Sequence, residues 1–323
     1  MIVLCVAVIK VERVRVRVRK PKRKRRKIIK RLFTLMLLVI IAAAGYTYFE
    51  YKKGLSESDG DFKEDGQFEF NGEGSDLDEV NILVLGIDSR GEDHSRSDSM
   101  MVIHYNKKQK QPKLISIMRD SYVDIPGYDK QKVNAAYAYG GPELVRKTLK
   151  ESFDLDINYY AIIDFKGFAK IVDAVAPDGI EVDVPKKMSY GIGMTLQPGK
   201  QILHGDRLLG YVRFRHDRES DFGRVRRQQE IFSELQKEAM SIGNIAQLPK
   251  LWGLVDPYIE TNIPNGVIFS LGKDFLLGSV KETKSFRLPV DGSFTNKDDP
   301  TYGAVLDLDL EQNKEELKRF LNE

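Results

Sequence analysis

NILVLGIDSRGEDHSRSDSMMVIHYNKKQKQPKLISIMRD, residues 81–120, holds three apolar runs separated by two polar turns. Asn81–Ile87 and Leu114–Met118 are short, β-branched and apolar, with Met100–Tyr105 between them, and runs of this kind read as buried strands. Paired as consecutive antiparallel neighbours, the first runs up to Asp88, the second runs down from Met100, and the third runs up to Arg119 and Asp120. That order gathers Asp88, Arg90, Arg96, Asp98, Arg119 and Asp120 at one end of a sheet, and Lys107, Lys108 and Lys110 at the other. Carboxylates interleaved with arginines suit a metal-bound phosphate or pyrophosphate. Two hard oxygen ligands hold Mg²⁺, while guanidinium forks take phosphoryl oxygens in pairs. Standing alone, the stretch is better read as solvated loop ion pairs.

A second charged stretch, Tyr211–Gln229 (YVRFRHDRESDFGRVRRQQ), changes that balance. Asp221 fits as the N-cap of a helix running to about Met240, which places Arg224, Arg227 and Gln228 on one face of the first two turns. Cations in a first turn oppose the helix macrodipole, and an anion bound there removes the conflict. Ile231 and Leu235 continue the face, so it passes from cationic to apolar, as a ligand with a phosphate head and a greasy tail requires. An amphipathic helix with a basic start and a buried end fits the same pattern.

Taken in order, Gly86-Ile-Asp-Ser-Arg90, Arg96-Ser-Asp98, Arg119-Asp120, Lys132-Val-Asn-Ala-Ala-Tyr137-Ala-Tyr-Gly140-Gly141, Arg213-Phe-Arg215 and Asp221-Phe-Gly-Arg224-Val-Arg-Arg227-Gln228 resemble the LytR–CpsA–Psr family. The resemblance runs from about Asn81 to Met240, and its specificity lies in the order and spacing of several motifs. It implies a membrane-anchored phosphotransferase of Gram-positive type. Such an enzyme moves an anionic glycopolymer, wall teichoic acid or capsule, from an undecaprenyl-pyrophosphate carrier to peptidoglycan. Mg²⁺ is the implied cofactor, with Mn²⁺ as its substitute, and a side pyrophosphatase activity goes with it. The isoprenoid tail is implied to lie in an apolar pocket between sheet and helices, with the Phe165–Val175 face as a candidate lining. On this reading Asp88 and Asp98 hold the metal, and Arg90, Arg96, Arg119, Arg213, Arg215, Arg224 and Arg227 surround the pyrophosphate with Gln228. Asp120 or Asp221 takes the proton of the attacking hydroxyl, Arg119 counts among the catalytic groups, and no covalent enzyme intermediate is needed.

The N-terminus supplies independent support. Residues 1–31 carry fourteen Lys/Arg and one acid, a formal +13, which leaves about −10 on the rest of a chain whose total is +3. Leu32–Phe49 then runs without a charge for long enough to cross a bilayer as a helix. Tyr46, Tyr48 and Phe49 suit the outer interfacial belt, and the positive-inside rule places residues 1–31 in the cytoplasm and the rest outside. A cleaved signal peptide is the weaker reading, because the apolar–aromatic run continues past Ala42–Gly45. Residues 50–79, rich in Asp, Glu, Gly and Ser, read as a flexible acidic stalk, and residues 80–323 as one extracellular catalytic domain with its core motifs at 81–240. The only cysteine, Cys5, lies on the cytoplasmic side, so the external domain rests on its core and not on disulfides.

The coarse pattern of that domain mixes helices (Asn134–Tyr139, Pro142–Phe153, Phe165–Val175, His204–Val212, Asp221–Met240, Asn244–Leu251, Val267–Leu277, Leu310–Leu321) with strands (Asn158–Ile163, Gly179–Val184, Ser285–Val290, Gly303–Leu308). It predicts an α/β or α+β sandwich in which helices cover a mixed or antiparallel central sheet, preceded by one transmembrane helix. His94, His104, His204 and His216 are isolated, and no zinc spacing, P-loop or GxSxG elbow is present. Tyr137 and Tyr139 suit sugar stacking but fit core positions better. Two rival functions remain: a membrane-tethered transcriptional regulator or attenuator, and a non-catalytic polyprenyl-pyrophosphate binder. The first needs its arginines in the cytoplasm, whereas the orientation predicts no nucleic-acid partner.

Overall fold

The computed structural model describes residues 23–58, 68–74, 78–88, 97–241, 247–276 and 280–323. The chain falls into two compact units, 1–46 and 47–323. The first helix, α1 (Arg23–Glu57), begins in the former. Its segment from Ile29 is long and apolar enough to cross a membrane, and none of its most apolar window is buried.

The strands of the second unit are β1 (Glu79–Ile87), β2 (Ser97–Asn106), β3 (Gln111–Ile117), β4 (Ser121–Val123), β5 (Gln131–Lys132), β6 (Tyr159–Asp164), β7 (Ile180–Val184), β8 (Gly199–Leu203), β9 (Ile259–Thr261), β10 (Lys284–Leu288), β11 (Phe294–Asp299) and β12 (Gly303–Leu308). Its helices are α2 (Ala135–Phe153), α3 (Phe165–Val175), α4 (Gly205–Arg213), α5 (Ser220–Ser241), α6 (Leu248–Val255), α7 (Asn265–Leu276) and α8 (Leu310–Asn322). A six-stranded mixed sheet, β10-β3-β2-β1-β6-β9, forms the centre. The antiparallel neighbours β1, β2 and β3 sit together as the sequence predicts, with β6 parallel to β1 and β10 parallel to β3. A four-stranded sheet, β11-β12-β4-β5, and the hairpin β7-β8 complete the set.

The central strands are apolar on both sides because both sides are covered. Leu83, Leu85 and Ile87 of β1 join Met100, Val102, Ile115 and Ile117 in a core closed by Val145, Leu149 and Phe153 of α2 and by Leu317 and Phe320 of α8. Helices α3, α4 and α5 cover the other face, where Val84, Gly86 and Met101 line a cavity against Phe168, Ile231 and Leu235. The architecture is the mixed sandwich read from the sequence. The short strands β4, β5, β8, β9 and β11 escaped that reading because two to six residues carry little periodicity.

Of residues 50–79, the described segments 50–58 and 68–74 differ from the expected stalk. The helix α1 continues to Glu57, and Phe68 and Phe70 lie on the core, with Phe68 against Tyr137 and Tyr160 and Phe70 against Tyr160. Composition hid this, since two aromatics in a polar run are enough to seat residues 68–70 on the core. Within the second unit, the end of α1 docks on α6 through two glycines. A Cβ on Gly54 would meet the Lys250 carbonyl oxygen at 2.1 Å, and one on Gly253 would meet the Tyr51 carbonyl oxygen at 2.1 Å. The Tyr51 hydroxyl donates to Asp256 at 2.7 Å, and Lys250 pairs with Glu57 at 2.7 Å. Because those clashes fall on backbone, Gly54→Ala or Gly253→Ala should cost about 1–3 kcal/mol of packing. Limited proteolysis of each variant is expected to cut sooner around Glu57. Unchanged cutting would show that the close approach is dispensable.

Candidate functional site

Three chain segments bring the charged residues to one edge of the central sheet. Asp88 follows the last residue of β1. Across from it the register shifts, so that Gly86 faces Ser99 and Ile87 faces Ser97, which leaves Asp98 as the extra residue of a β-bulge. Bulges re-aim side chains at strand ends, and this one turns Asp98 into a cleft. A Cβ on Gly86 would lie 3.0 Å from the Ser99 hydroxyl, so glycine keeps the floor open there. Arg119 and Asp120 fill the turn between β3 and β4. Arg213 closes α4, Arg215 follows it, and α5 supplies Asp221, Arg224, Arg227 and Gln228.

Asp98 Oδ1 accepts from Arg119 Nη1 at 3.0 Å and from Arg215 Nη2 at 2.9 Å. Behind them, Asp221 is a shared anchor for three guanidiniums. Arg224 Nη2 donates to its Oδ2 at 2.9 Å, while Arg215 Nε and Arg119 Nε lie 3.5 and 3.9 Å from its Oδ1. Burial pushes the Asp221 carboxyl above the ordinary aspartate range, with Asp120 and Asp98 adding to the rise and Arg119 and Arg215 opposing it. Lys132 holds Asp120 at 2.8 Å, and Arg213 lies 3.7 Å from Asp88 with its guanidinium 3.9 Å from the Phe165 ring centre. Gln228 donates to Ser99 at 3.1 Å.

The resulting cleft, about 250 Å³, is lined by Asp98, Ser99, Phe165, Arg213, Arg215, Arg224 and Gln228, with Tyr190, Gly191 and His216 on its rim. Ser99, Phe165, Arg213 and Gln228 also line the apolar cavity between sheet and helices, about 110 Å³. A charged head site and an apolar slot therefore share walls, and Phe165 and Phe168 of the expected α3 face lie in the slot. Arg224, only 2 % exposed, keeps Nε and Nη1 without a hydrogen-bond partner among the described residues. Buried donors of this kind are expensive unless a ligand meets them.

The sequence reading is met unevenly. Arg119, Arg213, Arg215, Arg224, Gln228, Asp88 and Asp98 come together as expected. Arg90 and Arg96 lie outside the described residues. Arg227 does not line the cleft: at 1 % exposure it holds Asp217 at 2.8 Å, donates to the Phe214 carbonyl and lies near the Tyr211 and Phe214 rings. A step of three along α5 turned it inward, so it braces the α4–α5 connection. Asp120 and Asp221 likewise stand behind the arginines and not among the cleft-lining residues. Asp221 lies in the first turn of α5, which begins at Ser220, instead of capping it. Ser99, Tyr190 and Asp217 were not expected at the site, whereas Phe165 was expected only in the lipid slot and lines the charged cleft as well. Asp217 had a signal, because it lies inside the charged stretch beside Arg215 and His216. Tyr190 had only a glycine neighbour to mark a loop.

Among the described residues no group of three or more His, Cys, Asp or Glu side chains forms a metal cage. Two carboxylates at adjacent strand ends, Asp88 and Asp98, do fit Mg²⁺, which takes one or two carboxylates and completes its shell with waters and phosphate oxygens.

The LytR_cpsA_psr family model matches residues 45–319. Regulatory protein MsrR of Staphylococcus aureus is 42% identical over 278 residues, covering 86% of this chain and 85% of MsrR. The polyisoprenyl-teichoic acid–peptidoglycan teichoic acid transferase TagU of Bacillus cereus is 34% identical over 215 residues, covering 66% of this chain and 70% of TagU. Among solved structures, TagT of Bacillus subtilis is similar in two ligand states. With bound LI-WTA it gives a TM-score of 0.61 at 27% identity, covering 82% of this chain and 96% of TagT. With bound octaprenyl pyrophosphate lipid the values are 0.56 and 26%, covering 82% and 98%.

Proposed function

The chain belongs to the LytR_cpsA_psr family, and on that premise we propose that its folded domain is a phosphotransferase. It attaches an anionic wall glycopolymer from an undecaprenyl-pyrophosphate carrier to peptidoglycan. The observation that carries this reading is the pair of adjoining cavities with shared walls, one lined with arginines and the other apolar. The TagU name and the TagT complexes support it.

In this reading Arg213, Arg215 and Arg224 grip the pyrophosphate, with Gln228 and Ser99 at the mouth of the slot that takes the isoprenoid. Arg119 and Arg215, which now hold Asp98, turn to phosphoryl oxygens as the ligand arrives. Asp88 and Asp98 would hold Mg²⁺, which supplies charge neutralisation to the two phosphates. The acceptor hydroxyl oxygen bonds to the sugar-linked phosphorus and the bridging P–O bond breaks, so the lipid leaves as its monophosphate. The proton goes to a carboxylate, and Asp120, which lies beside Arg119 and is held by Lys132 outside the arginine wall, is the candidate that reaches in with the acceptor. Developing charge on the leaving oxygen meets arginines already fixed in place, which is where most of the rate gain arises. Arg90 and Arg96 remain candidates for the same grip.

The test is purification of the full chain from membranes, with mass spectrometry of the co-purifying lipid and a transfer assay using a polyprenyl-pyrophosphate saccharide. A polyprenyl pyrophosphate that is bound and turned over is the expected result, whereas a lipid bound without turnover leaves only a binder. Asp88→Ala and Asp98→Ala are each expected to weaken the Mg²⁺ dependence of transfer with little change in melting temperature, since both sit at the cleft and not in the core. Wild-type metal response in either variant would remove that residue from the metal site. We also place the folded domain outside the cell, from the basic flank of α1. Protease added to intact protoplasts should digest the domain beyond Glu57, and full protection would overturn the orientation.

A further inference from the structure

We infer that the tyrosine face leading away from Asp120 seats the acceptor glycan chain; this rests on the reading above that peptidoglycan is the acceptor. The four-stranded sheet begins at the site, where the Leu306 amide donates to the Asp120 carbonyl at 2.9 Å. Asp120 immediately precedes β4, whose Tyr122 lies on the face that Lys132 shares. Lys132, opposite Tyr122 in the register, is the residue that holds Asp120. The face continues to Tyr302, whose ring lies 6.4 Å from that of Tyr122.

Beyond Tyr302 lies an open groove, about 590 Å³, which Tyr128, Asp129, Gln131 and Tyr139 also line. Tyr128 and Tyr139 stack at 4.5 Å and 17°, yet remain 50% and 44% exposed. Tyr139 is held by its hydroxyl, which donates at 3.1 Å to Gln131, itself only 4% exposed. A stacked pair of nearly parallel rings, each about half exposed, offers an outer ring face to a flat ligand with an apolar face and polar edges. A sugar ring has that form.

Charge separates the acceptor from the polymer that is being moved. Lys130 pairs with Asp307 at 3.1 Å, the Tyr122 hydroxyl donates to Asp299 at 3.2 Å, and Lys297 acts on Asp299 as well. Lys130 and Lys132 are thus each matched by an acid, and Lys297 lies 5.5 Å from the centre of the Tyr122 ring, so the ion pairs leave a polyanionic polymer little to hold. A neutral glycan chain loses nothing there, and its path along β4 ends with a hydroxyl beside Asp120.

The experiment uses the full chain in detergent, with peptide-free peptidoglycan glycan chains as one probe and a short polyprenyl pyrophosphate as the other. Tyr128→Ala/Tyr139→Ala should weaken glycan binding at least about tenfold, while Tyr128→Phe/Tyr139→Phe, which keeps both rings, should stay within about threefold. Affinity for the polyprenyl pyrophosphate should be unchanged in both. Undiminished glycan binding by the alanine pair, or an equal loss of both ligands, overturns the inference. A wild-type chain that binds the lipid but no glycan also overturns it and leaves the lipid half of the proposed function intact. Glycan binding that the alanine pair loses, in a wild type that transfers nothing, upholds the inference and removes the transferase reading.

Discussion

Arg119→Ala and Arg224→Ala should each lower transfer about tenfold to a hundredfold or more, because each removes a charge-assisted contact worth roughly 1.5–3 kcal/mol. The two residues come from different parts of the chain, the turn after β3 and the first turns of α5. They meet at Asp221, 3.9 Å from Arg119 and 2.9 Å from Arg224, and Arg119 also holds Asp98. Their effects should therefore be coupled by about 0.5–3 kcal/mol and not simply add. Arg224 is buried, so its alanine variant also strips a partner from a buried carboxylate, and breaking such a pair costs roughly 3–5 kcal/mol of stability. Arg224→Lys keeps the charge but loses the planar fork, and it separates folding from grip. Single and double variants would be assayed with a polyprenyl-pyrophosphate saccharide and a glycan acceptor, each checked by thermal melting. If both single variants lose less than about threefold with melting unchanged, the two clusters do not form one site.

The edge that carries these residues was legible because strand order alone decides which turns lie together. Once Asn81–Ile87, Met100–Tyr105 and Leu114–Met118 pair as neighbours, Asp88, Asp98 and Arg119 have to share an end. The face of α5 was legible only in part. Periodicity put Arg224, Arg227 and Gln228 together, but a face some 100° wide has two flanks, and only packing decides which flank meets a cleft. Arg227 fell on the flank against Tyr211 and Phe214, where Asp217 neutralises it. The bulge at Asp98 was not legible, because an extra residue in a strand shows only when its partner strand is known. The tyrosine platform was legible only in part: Tyr139 suited sugar stacking but looked like the core residue that Tyr137 is, and only the fold brings Tyr128 to it.

Asp221→Asn should cut transfer by about a hundredfold or more, although Asp221 does not line the cleft. Its carboxylate is the common anchor of Arg119, Arg215 and Arg224, and asparagine keeps the size while it removes the charge. Arg224 then loses the charge of its hydrogen-bonded partner while Arg119 and Arg215 are left hydrogen-bonded to Asp98, and misplacement of such groups by even 1 Å costs about 10²-fold. The same residue leaves a signature in stability. Burial raises the Asp221 pKa in the folded chain above its ordinary 3.8, so the folded state binds the proton more tightly than the unfolded state does. Its contribution is then fully favourable below 3.8 and is lost as pH rises through the raised value. Asparagine cannot titrate, and the stability of wild type relative to the variant should fall with rising pH across that window. Melting both proteins from about pH 4 to 7 reads the contribution of this carboxyl, because every other carboxylate is common to the two. A difference in melting temperature that stays flat with pH, together with transfer within about threefold of wild type, would mean that the three arginines are positioned without Asp221.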